Sequence, residues 1–157
     1  MITISTRCQI GIYESNEVIY YDGLPGNPEV LLYRHSDGYP GNLDGDIGVV
    51  PDILPFLKEF MKVRGYDVEY MGACLITYLK QFHCGDKLDD KYYGMEVNGV
   101  SMSILGHGIS KEFHGDIEWY YAIFPDELQV YDWYTKECVA KYSLTSDFKW
   151  EKYESQL

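Results

Sequence analysis

Positive charge is scarce in this chain: 13 lysines and arginines stand against 25 acidic residues, a formal net charge of −12. A surface of that sign repels polyanions at long range, which excludes general binding to DNA or RNA backbones and makes a basic protein surface the more natural macromolecular partner. Cysteine is sparse as well. Cys8, Cys74, Cys84 and Cys138 stand singly, without the CxxC pairs of a zinc module or the density of a disulfide framework. Long apolar runs are missing, so no membrane-spanning helix is expected. The opening "MITISTRCQI" has no basic region leading into an apolar stretch, so the expected compartment is the cytoplasm. GxSxG, GxxxxGK[ST], HExxH and a strand-to-helix GxGxxG are all absent. No catalytic residue, cofactor or resident metal is therefore assigned, and the balance is against an enzyme. The loop "NLDGDIG" starts like a calcium loop, but glycine replaces the third ligand and no glutamate closes the frame, so a solvated turn is expected.

Aromatic residues are abundant, at 16% with sixteen tyrosines, and the hydrophobic share of 46% is that of a folded globular protein. Such rings favour strands, where a broad apolar body packs while a polar tip stays available. The length fits one domain, residues 1–157. Residues 2 to 13 alternate, with Ile2, Ile4, Cys8, Ile10 and Ile12 on one side and Thr3, Ser5, Arg7 and Gln9 on the other. Further strands are expected at "EVIYYD" and at 29 to 35, so that the opening third reads as a meander. From Pro51 the period becomes helical, with Pro51 at the first helical position, Pro55 within the first turn or so and Gly65 just past the end. A second helix spans about 68 to 83; "CGDKLDDKYYG" is a polar connection, and short strands flank Asn98-Gly99. "GDIEWYYAIF", "ELQVYDWY" and "CVAKYSL" close the chain as strands. The expected fold is α+β: a mainly antiparallel sheet with two helices on one face and the other face partly exposed.

The segment "LLYRHSDGYPGN" gathers charge and aromatics at a corner. Alternation puts Val30, Leu32 and Arg34 on one side of the strand and Leu31, Tyr33 and His35 on the other. Asp37-Gly38 starts a turn that Pro40 stiffens. As a site, guanidinium and imidazole would supply donors to a phosphate or carboxylate, and tyrosine faces would stack a ring. Arg7, Tyr33, Arg34, His35, Asp37 and Tyr39 are the candidate ligand-binding residues. As scaffold, the same residues make a corner held by an Arg-Asp pair or a backbone-bonded histidine, and the two readings have about equal weight. His35-Ser36-Asp37 and His114-Gly115-Asp116 share the form H-x-D; if the two met, they could hold zinc or manganese for phosphodiester hydrolysis. The acidic aromatic stretch 116 to 134, with Glu118 and Asp132, offers a different function: docking on a basic protein.

"STRCQIGIYE", "YRHSDGYPG" and "HGDIEWYYAI" together resemble a group of small uncharacterised proteins of bacteriophages, prophages and some bacterial and archaeal genomes, marked by an N-terminal Thr-Arg strand and a Tyr-x-His-x-Asp-Gly-Tyr corner. The resemblance implies an accessory factor acting in the host-cell cytoplasm against host immunity. The leading expectation is sequestration of a small anionic, nucleotide-like ligand. The alternatives are an acidic, nucleic-acid-mimicking or anti-CRISPR-like inhibitor docking on a basic host protein, and a metal-dependent phosphodiesterase. Homo-oligomerisation is left open.

Overall fold

The structure, a computed structural model, describes residues 6–41, 48–82 and 94–145. The elements in chain order are β1 (Cys8–Ile12), β2 (Tyr20–Tyr21), β3 (Leu24–Pro25), β4 (Val30–Arg34), α1 (Val49–Val63), α2 (Val68–Phe82), β5 (Gly94–Val97), β6 (Val100–Ser103), β7 (His107–Ile109), β8 (Trp119–Ile123), β9 (Glu127–Asp132) and β10 (Glu137–Ser143). The fold is α+β, two helices with a large and mostly antiparallel sheet.

Six strands form that sheet in the order β10-β9-β8-β1-β4-β7. One pair, β1 with β8, is parallel, so the sheet is mixed rather than purely antiparallel. The crossover between them contains both helices, as a parallel pair requires a long connection. The opening third departs from the expected meander. β1 pairs directly with β4, while Tyr20–Tyr21 and Leu24–Pro25 form a separate small ribbon about a turn with Asp22 at φ 55° and Gly23 at φ 92°. Such left-handed turns suit short hairpins.

Both faces of the sheet are covered. On one, Cys8, Ile10, Ile12, Leu32, Tyr121, Ile123, Leu128 and Val130 pack with the helix stripes of Val49, Ile53, Leu57, Met71, Leu75 and Leu79. Each such side chain removed from water contributes roughly 1.5–3 kcal/mol before entropy is set against it. On the other, Tyr13, Leu24, Leu31, Tyr120, Ala122, Phe124 and Tyr131 form a second, aromatic core. Every residue of β1 is accordingly buried. The partly exposed outer face expected from the sequence is therefore largely closed, because tyrosine hydroxyls find partners inside it. Tyr13 and Tyr120 meet hydroxyl to hydroxyl at 2.6 Å, and Tyr13 donates to the Pro25 carbonyl at 2.7 Å. Glycine at position 11 makes room: a Cβ there would overlap the Tyr120 hydroxyl.

Helix α1 begins one turn fraction earlier than expected, with Gly48 as N-cap, so Pro51 is its third residue and Pro55 lies inside it, on the exposed side. The first two backbone donors, Val49 and Val50, bond to the carbonyls of Tyr39 and Pro40. Gly65, at φ 90°, ends the helix as expected. The calcium-like loop at 42–47, the polar connection 84–93 and Cys84 lie outside the described residues. Among the described residues no helix is long and apolar enough to cross a membrane.

Candidate functional site on the outer sheet face

The register of β1 on β4 decides which candidate residues meet. Gln9 stands opposite Tyr33 and Cys8 opposite Arg34, so the two faces of β4 carry different chemistry. Arg34 turns inward, to the helix side, and is fully buried. Its Nε donates to the Ser36 carbonyl at 2.9 Å, and its Nη2 lies 2.7 Å from the carboxylate of Asp52 on α1. That contact is an ion pair by distance but not an aligned hydrogen bond, and Nη1 finds no acceptor among the described residues. A cation so placed fastens β4 to α1 and is shielded from any ligand at the surface. Beside it, burial pushes the Cys8 thiol up to about 12, the Arg34 charge opposing this more weakly. Cys8 is a core thiol, not a nucleophile.

The corner beyond Arg34 is a fastening as well. Asp37 takes φ 57°. Gly38 donates to the Thr6 carbonyl at 2.9 Å and accepts from the Tyr121 hydroxyl at 2.6 Å. A Cβ on Gly38 would lie 2.8 Å from the Thr6 carbonyl oxygen, so only glycine lets the corner seat this closely on the start of β1. Tyr39 is half-buried. Burial is the first cause of its raised pKa, and the neighbouring Asp37 charge and a hydrogen bond to it add to the rise.

Arg7, Tyr33 and His35 occupy the outer face and are joined there by His114, which the sequence had placed only in the second H-x-D pair. The Tyr33 and His114 rings stack at 4.7 Å between centroids and 26° between planes. The Tyr33 hydroxyl lies 3.1 Å from His35 Nδ1. Desolvation raises the Tyr33 pKa, and the nearby Arg7 guanidinium opposes that rise. Gln9 holds the loop that delivers His114: its Oε1 accepts from the His114 amide at 2.8 Å, and its Nε2 donates to the Glu112 carbonyl at 3.2 Å. Asp116 stands 3.8 Å from both Arg7 Nε and His114 Nδ1, beyond hydrogen-bonding distance. Both partners are in reach of water, Arg7 at 33% and Asp116 at 60% side-chain exposure, so this pairing is weak.

The histidines of the two H-x-D pairs thus both meet Tyr33, while their carboxylates go to different neighbours. Asp116 faces Arg7 and His114; Asp37 faces Tyr39. Among the described residues no group of three His, Cys, Asp or Glu side chains is placed to hold a metal ion.

The acidic stretch does not form one face. By strand parity Glu118 shares the outer face with Tyr120, and Asp132 shares the helix face with Leu128 and Val130. Asp132 also has an internal task, since its Oδ1 accepts from the amides of Tyr134 and Thr135 in the β9–β10 turn.

Two participants escaped the sequence reading. Asp52 was missed although its signal was present: an arginine on an apolar strand stripe calls for a buried acid. His114 was undervalued because nothing local links it to Tyr33, 81 positions earlier by subtraction of the two residue numbers.

Comparison of the chain with family models, with curated proteins and with solved structures finds no match in any of the three. The resemblance to small phage proteins stands on the quoted residues alone.

Proposed function

We propose that this chain is a non-catalytic binding protein, an accessory factor of the phage counter-defence kind, which sequesters a small anionic, nucleotide-like ligand at the outer-face cluster. The observation that carries the reading is the gathering of Arg7, His35 and His114 around the ring of Tyr33. A guanidinium fork and imidazole N–H groups match phosphate oxygens. The stacked Tyr33–His114 pair offers a π-face to a base. Asp116, held loosely at 3.8 Å, is a partner that a phosphate can displace from Arg7. The chain's net charge of −12 keeps long polyanions away, whereas the Arg7 charge acts within a Debye length of roughly 8–10 Å. Arg34 and Asp37 serve this site from behind, by fixing the end of β4 and the corner; Tyr39 stands at its margin.

Calorimetric titration with mono-, di- and cyclic nucleotides tests the proposal. At least one should bind, and Arg7→Ala or His114→Ala should weaken it by about tenfold or more, the range expected for loss of a charge-assisted hydrogen bond. If no nucleotide binds, or if both variants bind as the parent does, the assignment is wrong.

A further inference from the structure

A second surface, separate from the anion site, lies where α2 crosses the start of β4 and the end of β7. Val30, Leu32, Gly72, Ala73, Ile76 and Ile109 line a groove of about 380 Å3 there. Buried Gly72 lets α2 approach β4 closely at the floor of this groove, since a Cβ there would already lie 3.0 Å from Val30. Ala73 is exposed, and Ile109 is 76% exposed, with Ile104 and Leu105 also exposed on the approach to β7. An apolar groove rimmed by an isoleucine this exposed is costly to leave in water and is the kind of surface that marks contact sites.

The groove runs into a second cavity of about 600 Å3, with which it shares Glu29, Val30 and Glu69. That end is acidic, lined by Glu14, Glu29, Asp67 and Glu69. Asp67 pairs with Arg64 at 3.1 Å, but no cation among the described residues pairs with Glu14, Glu29 or Glu69. Three carboxylates therefore converge at one end of an apolar trough. β7 is also the terminal strand of the sheet, with no strand paired to its outer edge among the described residues. An extended segment can use such an edge for main-chain hydrogen bonds.

We propose that this cleft docks a basic, amphipathic segment of a partner protein, its lysine or arginine seated among Glu14, Glu29 and Glu69 and its apolar side chains in the groove beneath α2. Charge selects this occupant. A second copy of the chain brings another net −12 toward the carboxylates, and nucleic acid or an anionic membrane brings phosphates; each is repelled where a cationic peptide is attracted. The inference does not depend on the anion site.

Fluorescence anisotropy with a labelled peptide of about twelve alternating Lys and Leu residues is the test, with Lys-Ser and Glu-Leu peptides of equal length as comparisons. The Lys-Leu probe should bind best. Glu29→Lys with Glu69→Lys should weaken it by about tenfold or more, a loss of roughly 1.4 kcal/mol or more. Glu59→Lys with Glu137→Lys, the same charge change at exposed sites on α1 and β10, should leave affinity within about twofold, since neither residue lines either cavity and surface charges outside the site are screened. Ile109→Ser, which removes an exposed side chain and so leaves the core intact, should also weaken the Lys-Leu probe. Equal losses in the two charge-reversed pairs would reduce the effect to bulk charge, and unchanged binding in the cleft variants would place the peptide elsewhere; either result overturns the proposal. Arg7→Ala should leave this binding unchanged, and a loss there also counts against it.

Discussion

Arg34 is the largest of the fully buried side chains among the described residues, and its energetics follow from that place. A guanidinium out of water is tolerable only with an anion beside it, and Asp52 supplies one at 2.7 Å. Removing one partner strands the other: Arg34→Ala should destabilise the fold by about 3–5 kcal/mol, whereas Arg34→Met combined with Asp52→Leu should recover most of the loss. Chemical denaturation of the parent and the two variants checks this, and a double variant no more stable than Arg34→Ala would contradict it. Cys8, across the strand from Arg34, should resist thiol reagents at mildly alkaline pH, because burial raises its pKa to about 12. Exposed Cys74 should label quickly. Peptide mapping after a brief maleimide pulse distinguishes them; rapid native labelling of Cys8 would refute its core assignment. At this scale the sequence was half legible. Alternation correctly sent Arg34 and His35 to opposite faces, and that separation is why they cannot grip one ligand together. The identity of their partners, Asp52 and Tyr33, depended on packing and side-chain direction that spacing does not encode.

Among the elements, the two sheet faces differ in how they hold. The helix face is aliphatic, read directly from the stripes of α1 and α2. The outer face is held by tyrosines whose hydroxyls bond inside the protein, and this has a consequence at high pH. Burial raises the pKa of Tyr13, Tyr120 and Tyr131 in the outer core well above the ordinary value of 10.0. Above that pH the unfolded chain gives up protons that the folded chain retains, so it binds fewer. Stability from these groups is therefore full below about pH 10 and is lost as pH rises beyond it. Tyrosinate absorbance should then appear for this group in the same step as loss of circular dichroism. Gradual ionisation without unfolding would show that the outer core is open to solvent. The strands of the C-terminal half were legible because alternation there is regular. The pairing of β1 with β4 and β8 was not, since it joins segments far apart in sequence, and the small β2–β3 ribbon was mistaken for a sheet strand because Val-Ile-Tyr-Tyr has strand composition without a place in the sheet.

For the molecule as a whole, the helices secure one side, the aromatic core the other, and the corner 35–41 ties β1, the sheet centre and the start of α1 together. That frame leaves Arg7, His35 and His114 around Tyr33 on the outer face and an acidic apolar cleft beneath α2. The proposed role of the Tyr33 cluster is to receive a small anion. Histidine side-chain NMR during titration with inorganic phosphate and then a cyclic dinucleotide tests it most directly. His35 and His114 should shift together and saturably, while buried His107, paired with Arg34 across β4 and β7, should stay in place. If His35 and His114 do not move with either anion, or if all three drift alike without saturation, the cluster is not a binding site.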